Sequence, residues 1–212
     1  MEPRFIFLHL SSTWASPSTR ISFQQHVSCT CQICCLELRR INSIRHYRPL
    51  DALKTPISAF CPSRIDYCNS LLAGCPKQLI HKLQKVQNNA ARFICRTPKS
   101  DHISPVLHIL HWLPVDQRID YKLLLIAFES VNNNSPSYLS DLLKFYIPSR
   151  RLRSSSDSRL LRIPSVRLKS FGRRKFSYQT SVLRNSIPIS LRHSNSTSAF
   201  KSALKMHLFP SQ

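Results

Sequence analysis

Residues 62–97 read PSRIDYCNSLLAGCPKQLIHKLQKVQNNAARFICRT, and this stretch decides the fold class. Ala73-Gly74-Cys75-Pro76 is a turn signal that separates a short apolar-faced segment from a longer one. In the longer segment Leu79, Leu83, Val86, Ala90 and Ile94 recur at steps of four, three, four and four, which is one helical stripe. Lys77, Lys82, Lys85, Arg92 and Arg96 fall mostly off that stripe, along with the amides of Gln84, Gln87, Asn88 and Asn89. A helix with one apolar side and a side rich in cations and amides can pack on a domain while facing a phosphate backbone. The same periodicity also fits an ordinary solvated face.

Working outward from this helix, the apolar spacing predicts further helices at about 31–46, 50–60, 64–72, 103–110, 116–132, 137–146 and 197–208. Pro114 and Asp116 precede the stripe Ile119, Leu123, Ile126, Ser130, and Asn132-Asn133-Asn134-Ser135-Pro136 is a turn cluster that restarts the chain at Tyr138. Between 150 and 190 the pattern changes to Ser-, Arg- and β-branched-rich pieces. Arg159–Val166 and Lys175–Leu183 there read as short strands or extended arms. The expected fold class is therefore mainly α. A helical unit over 21–148 precedes a basic, partly extended region over 149–212 with short strands and a terminal helix carrying Phe200, Leu204 and Leu208. Residues 1–20 are expected to be a leader unrelated to the rest and without fixed structure.

The chain of 212 residues carries a net charge of +21, unevenly placed. From Leu142 onward there are fifteen Lys or Arg and one acid, Asp157, so this stretch holds +14 of the total. Arg150, Arg151 and Arg153 open a Ser-rich linker, and Arg173, Arg174 and Lys175 follow with Phe171, Phe176 and Tyr178 interleaved. Such density draws polyanions, loses affinity steeply with salt, and permits aromatic stacking on unpaired bases. Non-specific stickiness would produce the same composition.

Several chemistries are excluded. Gly74 and Gly172 are the only glycines, which rules out a P-loop, a GxGxxG turn and a GxSxG elbow. Nucleotidyl transfer needs clustered carboxylates over two divalent metals, and no two of the ten acids are adjacent. Asp116 and Asp120, one helical turn apart beside Arg118 and Lys122, read as helix start and solvated charge. No HExxH occurs, and the spacing of His108 and His111 fits a packing and hydrogen-bonding pair. His26, Cys29, Cys31 and Cys34 have zinc-ligand types at short spacing. They lie within nine residues leading into a predicted helix, however, where cysteine is a good small core residue. Cys61, Cys68 and Cys75, at intervals of seven, read as a buried stripe or loop anchors. With no apolar run of eighteen residues and no signal-peptide core at Phe5–Leu8, free thiols in an intracellular compartment, nuclear or cytoplasmic, are expected.

The blocks Ser63–Gly74 and Leu83–Arg92 are similar to the C-terminal part of reverse transcriptases from LINE-type (non-LTR) retrotransposons of vertebrates. The similarity continues, in the expected order, through Asp101–Leu107, Leu110–Ile119, Tyr138–Leu143, Arg162–Ser165, Ser186–Pro188 and Phe200–Lys205. Backwards it reaches Ser22–His26 and Leu36–Ile41. It thus covers almost the whole chain after the first twenty residues.

The resemblance implies a thumb-like helical bundle and the region that follows the polymerase. The chain then begins after the palm and carries no catalytic residues, no metal and no cofactor. In such a parent the thumb helix would hold the template–primer duplex, and the basic tail would bind element RNA or target DNA. The residues expected to hold nucleic acid are Lys82, Lys85, Arg92, Arg96, Arg150, Arg151, Arg153, Arg173, Arg174 and Lys175. No membrane and no small-molecule substrate are expected as partners. The competing expectation is a retrotransposon-derived reading frame with no selected function. One departure bears on it: where relatives place a Trp before Asn185-Ser186-Ile187-Pro188, this chain has Arg184, a costly exchange if the site is buried.

Overall fold

The computed structural model describes residues 23–44, 47, 49–147, 159–168 and 172–209. Among these the protein is mainly helical. The elements are α1 (Phe23–Ser43), α2 (Leu50–Asp66), a 3₁₀ turn at Asn69–Leu72, α3 (Lys77–Cys95), α4 (Ser104–Ile109), α5 (Val115–Val131), α6 (Ser137–Ser140), α7 (Phe176–Ser186), α8 (Ile189–Arg192) and α9 (Thr197–Leu208). Proline punctuates the chain: Pro49, Pro76, Pro114, Pro136 and Pro188 each stand immediately before a helix, where a fixed φ helps and a missing N–H costs nothing.

The first core forms where α1 and α2 pack along α3. Val27, Cys34 and Leu38 supply the α1 seam; Leu53, Ile57, Cys61 and Ile65 supply the α2 seam at strict four-residue spacing. Both helices are longer than expected. Helix α1 starts two turns earlier, at Phe23, because fully buried Val27 and Thr30, almost one turn on, extend its inward face through residues of modest helix propensity. Helix α2 contains Pro56 and runs unbroken through Pro62, in the gap expected between 60 and 64. Each interior proline costs about 3 kcal/mol. The continuous buried stripe from Leu53 to Ile65 holds the helix together against that cost.

Helix α5 is the spine. It is buried on several sides, through Val115, Ile119, Leu123, Leu124, Leu125, Ala127 and Phe128, as a central helix should be. Its first half joins the α1–α3 core. Its second half builds another with Ile187, Leu191, Phe200 and Leu204, in which the Phe128 and Phe200 rings stack at 4.2 Å. The terminal helix α9, expected at 197–208, is present at those bounds and is started by Ser196, whose Oγ accepts from the Ala199 N–H.

The expected helix over 137–146 ends at Ser140. The chain then turns, and Phe145 pairs antiparallel with Leu161. The Tyr146 N–H donates to the Leu160 carbonyl at 2.8 Å, and the Arg162 N–H donates to the Lys144 carbonyl at 2.7 Å. This isolated bridge is the only β pairing among the described residues, so the short strands expected over 159–166 shrink to one contact. The piece expected to be extended over 175–183 is helix α7 instead. Its fully buried positions are Thr180, Ser181 and Arg184, with only Phe176 and Leu183 packed at the core edge, so its apolar period is weak. The leader 1–20 lies outside the described residues.

Candidate nucleic-acid interface

Helix α3 presents its apolar stripe inward as expected: Leu83, Val86 and Ala90 are buried, with Leu79 and Ile94 packed at the edge. On the outward side Gln78, His81, Lys82, Lys85, Asn89 and Arg96 are exposed, forming one strip along the helix. The helix contains no acid. Lys82 and Lys85 are one turn apart on that strip, and Arg96 lies about 21 Å further along the axis.

Not every polar residue of α3 faces outward. Gln87 is 1% exposed, and its amide donates to the Leu113 carbonyl at 2.8 Å. Gln84 Oε1 accepts from the Val115 N–H at 2.7 Å, while its amide donates to Asn88 Oδ1 at 2.8 Å. These amides tie α3 to the start of α5, satisfying an otherwise orphaned helix N-terminal donor. They are structural and do not belong to a phosphate-facing side. Arg92 is similarly committed. Its Nε donates to the Pro98 carbonyl at 3.2 Å and its Nη2 to the Asp101 carbonyl at 2.7 Å, which holds the loop after α3. Arg96 caps the helix in the left-handed region, φ 52°, with its side chain exposed.

Of the C-terminal cations, Arg150, Arg151 and Arg153 lie outside the described residues. Arg173 and Lys175 are exposed and Arg174 is half-buried, just ahead of α7. Arg174 reaches the turn before α3: a Cβ built on Gly74, whose φ is +71°, would lie 3.1 Å from Arg174 Cγ. The 173–175 cluster is therefore placed at the Lys77 end of α3, while Arg96 marks the other end. Nothing in the spacing of these segments, almost a hundred residues apart, announces that proximity.

A cleft of about 580 Å³ opens beside this junction, with Lys77, His81 and Gln84 of α3 across from Asp116 and Asp120 of α5. Burial, and then the Asp116 carboxylate, pushes Asp120 up to about 6. The two acids interrupt the cationic surface here, so the unbroken positive strip follows the outer side of α3 and not the cleft. Arg118, also on α5, forms a two-pronged ion pair with Asp66 at the end of α2, its Nε donating to Oδ1 at 2.7 Å.

The cysteine and histidine candidates are spread by α1. Cys29 is exposed, Cys31 half-buried and Cys34 buried against Cys61, whose thiol is pushed up by its hydrogen bond with Cys34 and by burial. Of the seven-residue series only Cys61 is buried; Cys75 is partly covered and Cys68 is exposed at a left-handed position. Among the described residues no group of three or more His, Cys, Asp or Glu side chains gathers as a metal site. His108 packs edge-on against Phe209 at 5.1 Å, and His111 is exposed. Among the described residues no helix is long and apolar enough to cross a membrane.

One cluster escaped the sequence reading. Arg184 is 1% exposed and lies near Arg159 and the buried Arg192. Its only signal in the sequence was a charged residue just before Asn185-Ser186-Ile187-Pro188, and that gives no hint of the other arginines. No protein-family model, curated protein or solved structure matches the chain.

Proposed function

We propose that the chain is a non-enzymatic nucleic-acid-binding module, derived from the thumb and C-terminal region of a LINE-type reverse transcriptase. The observation that carries the binding part is the acid-free outer strip of α3, with Lys82, Lys85 and Arg96 exposed on a helix anchored along its other side. A rigid row of cations gives phosphate contacts without the entropic cost of ordering a loop. Arg173 and Lys175 extend the charge at the Lys77 end. Arg92 contributes less than its charge suggests, because loop carbonyls already hold its guanidinium.

Length supports a duplex ligand. A cation row of about 20 Å matches roughly six base-pair steps of one backbone strand. The deciding experiment is competition at fixed salt between an RNA–DNA hybrid, a hairpin RNA and random-sequence duplex DNA. A hybrid or structured-RNA preference of tenfold or more, roughly 1.4 kcal/mol, is the expected result. Equal affinities would favour the second reading, a reading frame with no selected function, whose support is the buried, uncompensated charge at Arg184.

A further inference from the structure

Two rows of polar side chains line the cleft between α3 and α5. Lys77, His81, Gln84 and Asn88 follow one another along α3 at steps of four, three and four, and so share one side of that helix. Asp116 and Asp120 stand one turn apart on α5. Buried Leu72, Leu107 and Ile119 supply apolar surface to the same space. At about 580 Å³ the cleft falls within the roughly 300–1,000 Å³ that takes a small organic ligand.

Much of the polar lining is already committed. Gln84 uses its oxygen on the Val115 N–H and its amide on Asn88 Oδ1, while Asp116 Oδ1 accepts from the Gln117 N–H. Two groups are left over. Asp120 is half-buried, yet no hydrogen bond and no ion pair reaches its carboxylate among the described residues. Asn88 has spent its oxygen, and its Nδ2 donates to nothing among the described residues. A half-buried carboxylate without donors is costly, in keeping with its raised value. The cleft therefore offers a carboxylate able to accept two parallel N–H bonds, and one spare amide donor.

That pattern discriminates among the nucleobases. Guanine alone carries an imino and an amino N–H side by side, next to the O6 acceptor; adenine and cytosine set one amino donor beside an acceptor, and uracil sets its imino group between two acceptors. A flat ring also suits the apolar surface. Lys77 and Arg174 both lie at the Gly74 end of the cleft, where a phosphate on the attached sugar would find cations. We propose that the cleft between α3 and α5 binds one guanine nucleotide, with the base on Asp120 and Asn88 and the phosphate on Lys77 and Arg174. A free nucleotide and an unpaired guanine in a strand lying on the α3 strip present the same chemistry. Only the second source rests on the nucleic-acid reading above.

The test is equilibrium dialysis of the full chain against GMP, AMP, CMP and UMP at one salt concentration. GMP should bind about tenfold or more tighter than the others. Asp120→Asn exchanges an acceptor oxygen for a donor, and should weaken GMP about tenfold and abolish the preference. Lys77→Ala should weaken GMP but not guanosine, and Lys54→Ala with Lys201→Ala should change neither. If Asp120→Asn fails to fold, Asn88→Ala gives the same comparison, with a loss of about threefold or more. A second arm compares a short oligoadenylate with the same strand carrying one guanine. A guanine gain there that Asp120→Asn removes assigns the cleft to a strand, and a preference confined to mononucleotides assigns it to the free nucleotide. Equal binding of the four mononucleotides, no binding of any, or a guanine preference that survives Asp120→Asn would overturn the site. Hybrid binding by Lys82→Ala with Lys85→Ala reads the strip separately, so the failure of either proposal is told apart from that of the other.

Discussion

Replacing Arg184 with methionine should stabilise this protein in chloride buffer. The side chain is 1% exposed, two of its donor atoms have no partner, and burial with Arg192 and Arg159 lowers it to about 10. Lowering a guanidinium that far corresponds to a native-state penalty of about 3 kcal/mol at neutral pH. The sign follows from the direction. The folded value lies below the unfolded one, so the penalty is present at all pH values below about 10 and is relieved only above it. Methionine keeps the length of the stem, fills the same space and removes the charge. Exchanges of buried charged groups for apolar ones gain about 1–4 kcal/mol, and we expect about 2–3 here. With a urea slope near 2 kcal/mol/M the midpoint should rise by about 1 M. Arg184→Lys should show no comparable gain. A Met variant equal to or less stable than the wild-type chain, at constant slope, would refute the reasoning.

Other perturbations read different parts of the structure. Asp120 is pushed up to about 6 by burial and then by Asp116, so its ionisation costs stability progressively as pH rises from about 4 through 6. Asp120→Asn should therefore stabilise the chain at pH 7.5 by about 1–2 kcal/mol, after discounting for its partial exposure, and by nothing near pH 4. Urea titrations at the two pH values check this. Gln84→Ala removes the acceptor for the Val115 N–H and should cost about 1 kcal/mol, with faster amide exchange at Val115 as the local readout. Gly172→Ala places a Cβ 2.6 Å from Val166 Cβ and should cost about 1–3 kcal/mol. In a Val166→Gly background, which removes the Cβ that Gly172→Ala would meet, that cost should largely vanish, and independent additive effects would contradict the close approach.

Legibility in the sequence followed the physics of each element. Helix α3 was readable because its core face is apolar at helical spacing, and α9 because Phe200, Leu204 and Leu208 recur at steps of four. Helix α7 was not, because its fully buried positions are Thr180, Ser181 and Arg184, and Phe176 and Leu183 alone leave a weak hydrophobic period. The gap expected between 60 and 64 holds Pro62, whose local preference is against a helix, but the stripe through Cys61 and Ile65 carries the helix across it. Site residues divided in the same way. Lys82 and Lys85 are outward because they oppose the stripe, which spacing shows. On a wheel Gln87 falls beside the stripe and Arg92 outward, yet each satisfies a carbonyl elsewhere in the chain, the Leu113 oxygen in one case and the 98–101 loop in the other. Such acceptors appear only once the helices are docked.

The central claim is that the outer strip of α3 is a binding face and not simply part of a +21 surface. Fluorescence anisotropy of a labelled RNA–DNA hybrid, titrated across salt, compares Lys82→Ala with Lys85→Ala against Lys54→Ala with Lys201→Ala, two exposed lysines on α2 and α9. Both pairs remove the same charge. The account predicts that losing the α3 pair weakens binding about tenfold or more and lowers the salt slope by about 1.5–2, while the control pair changes the slope by less than about 0.5. Equal losses in the two double variants would contradict it, and the attraction would then be bulk electrostatics.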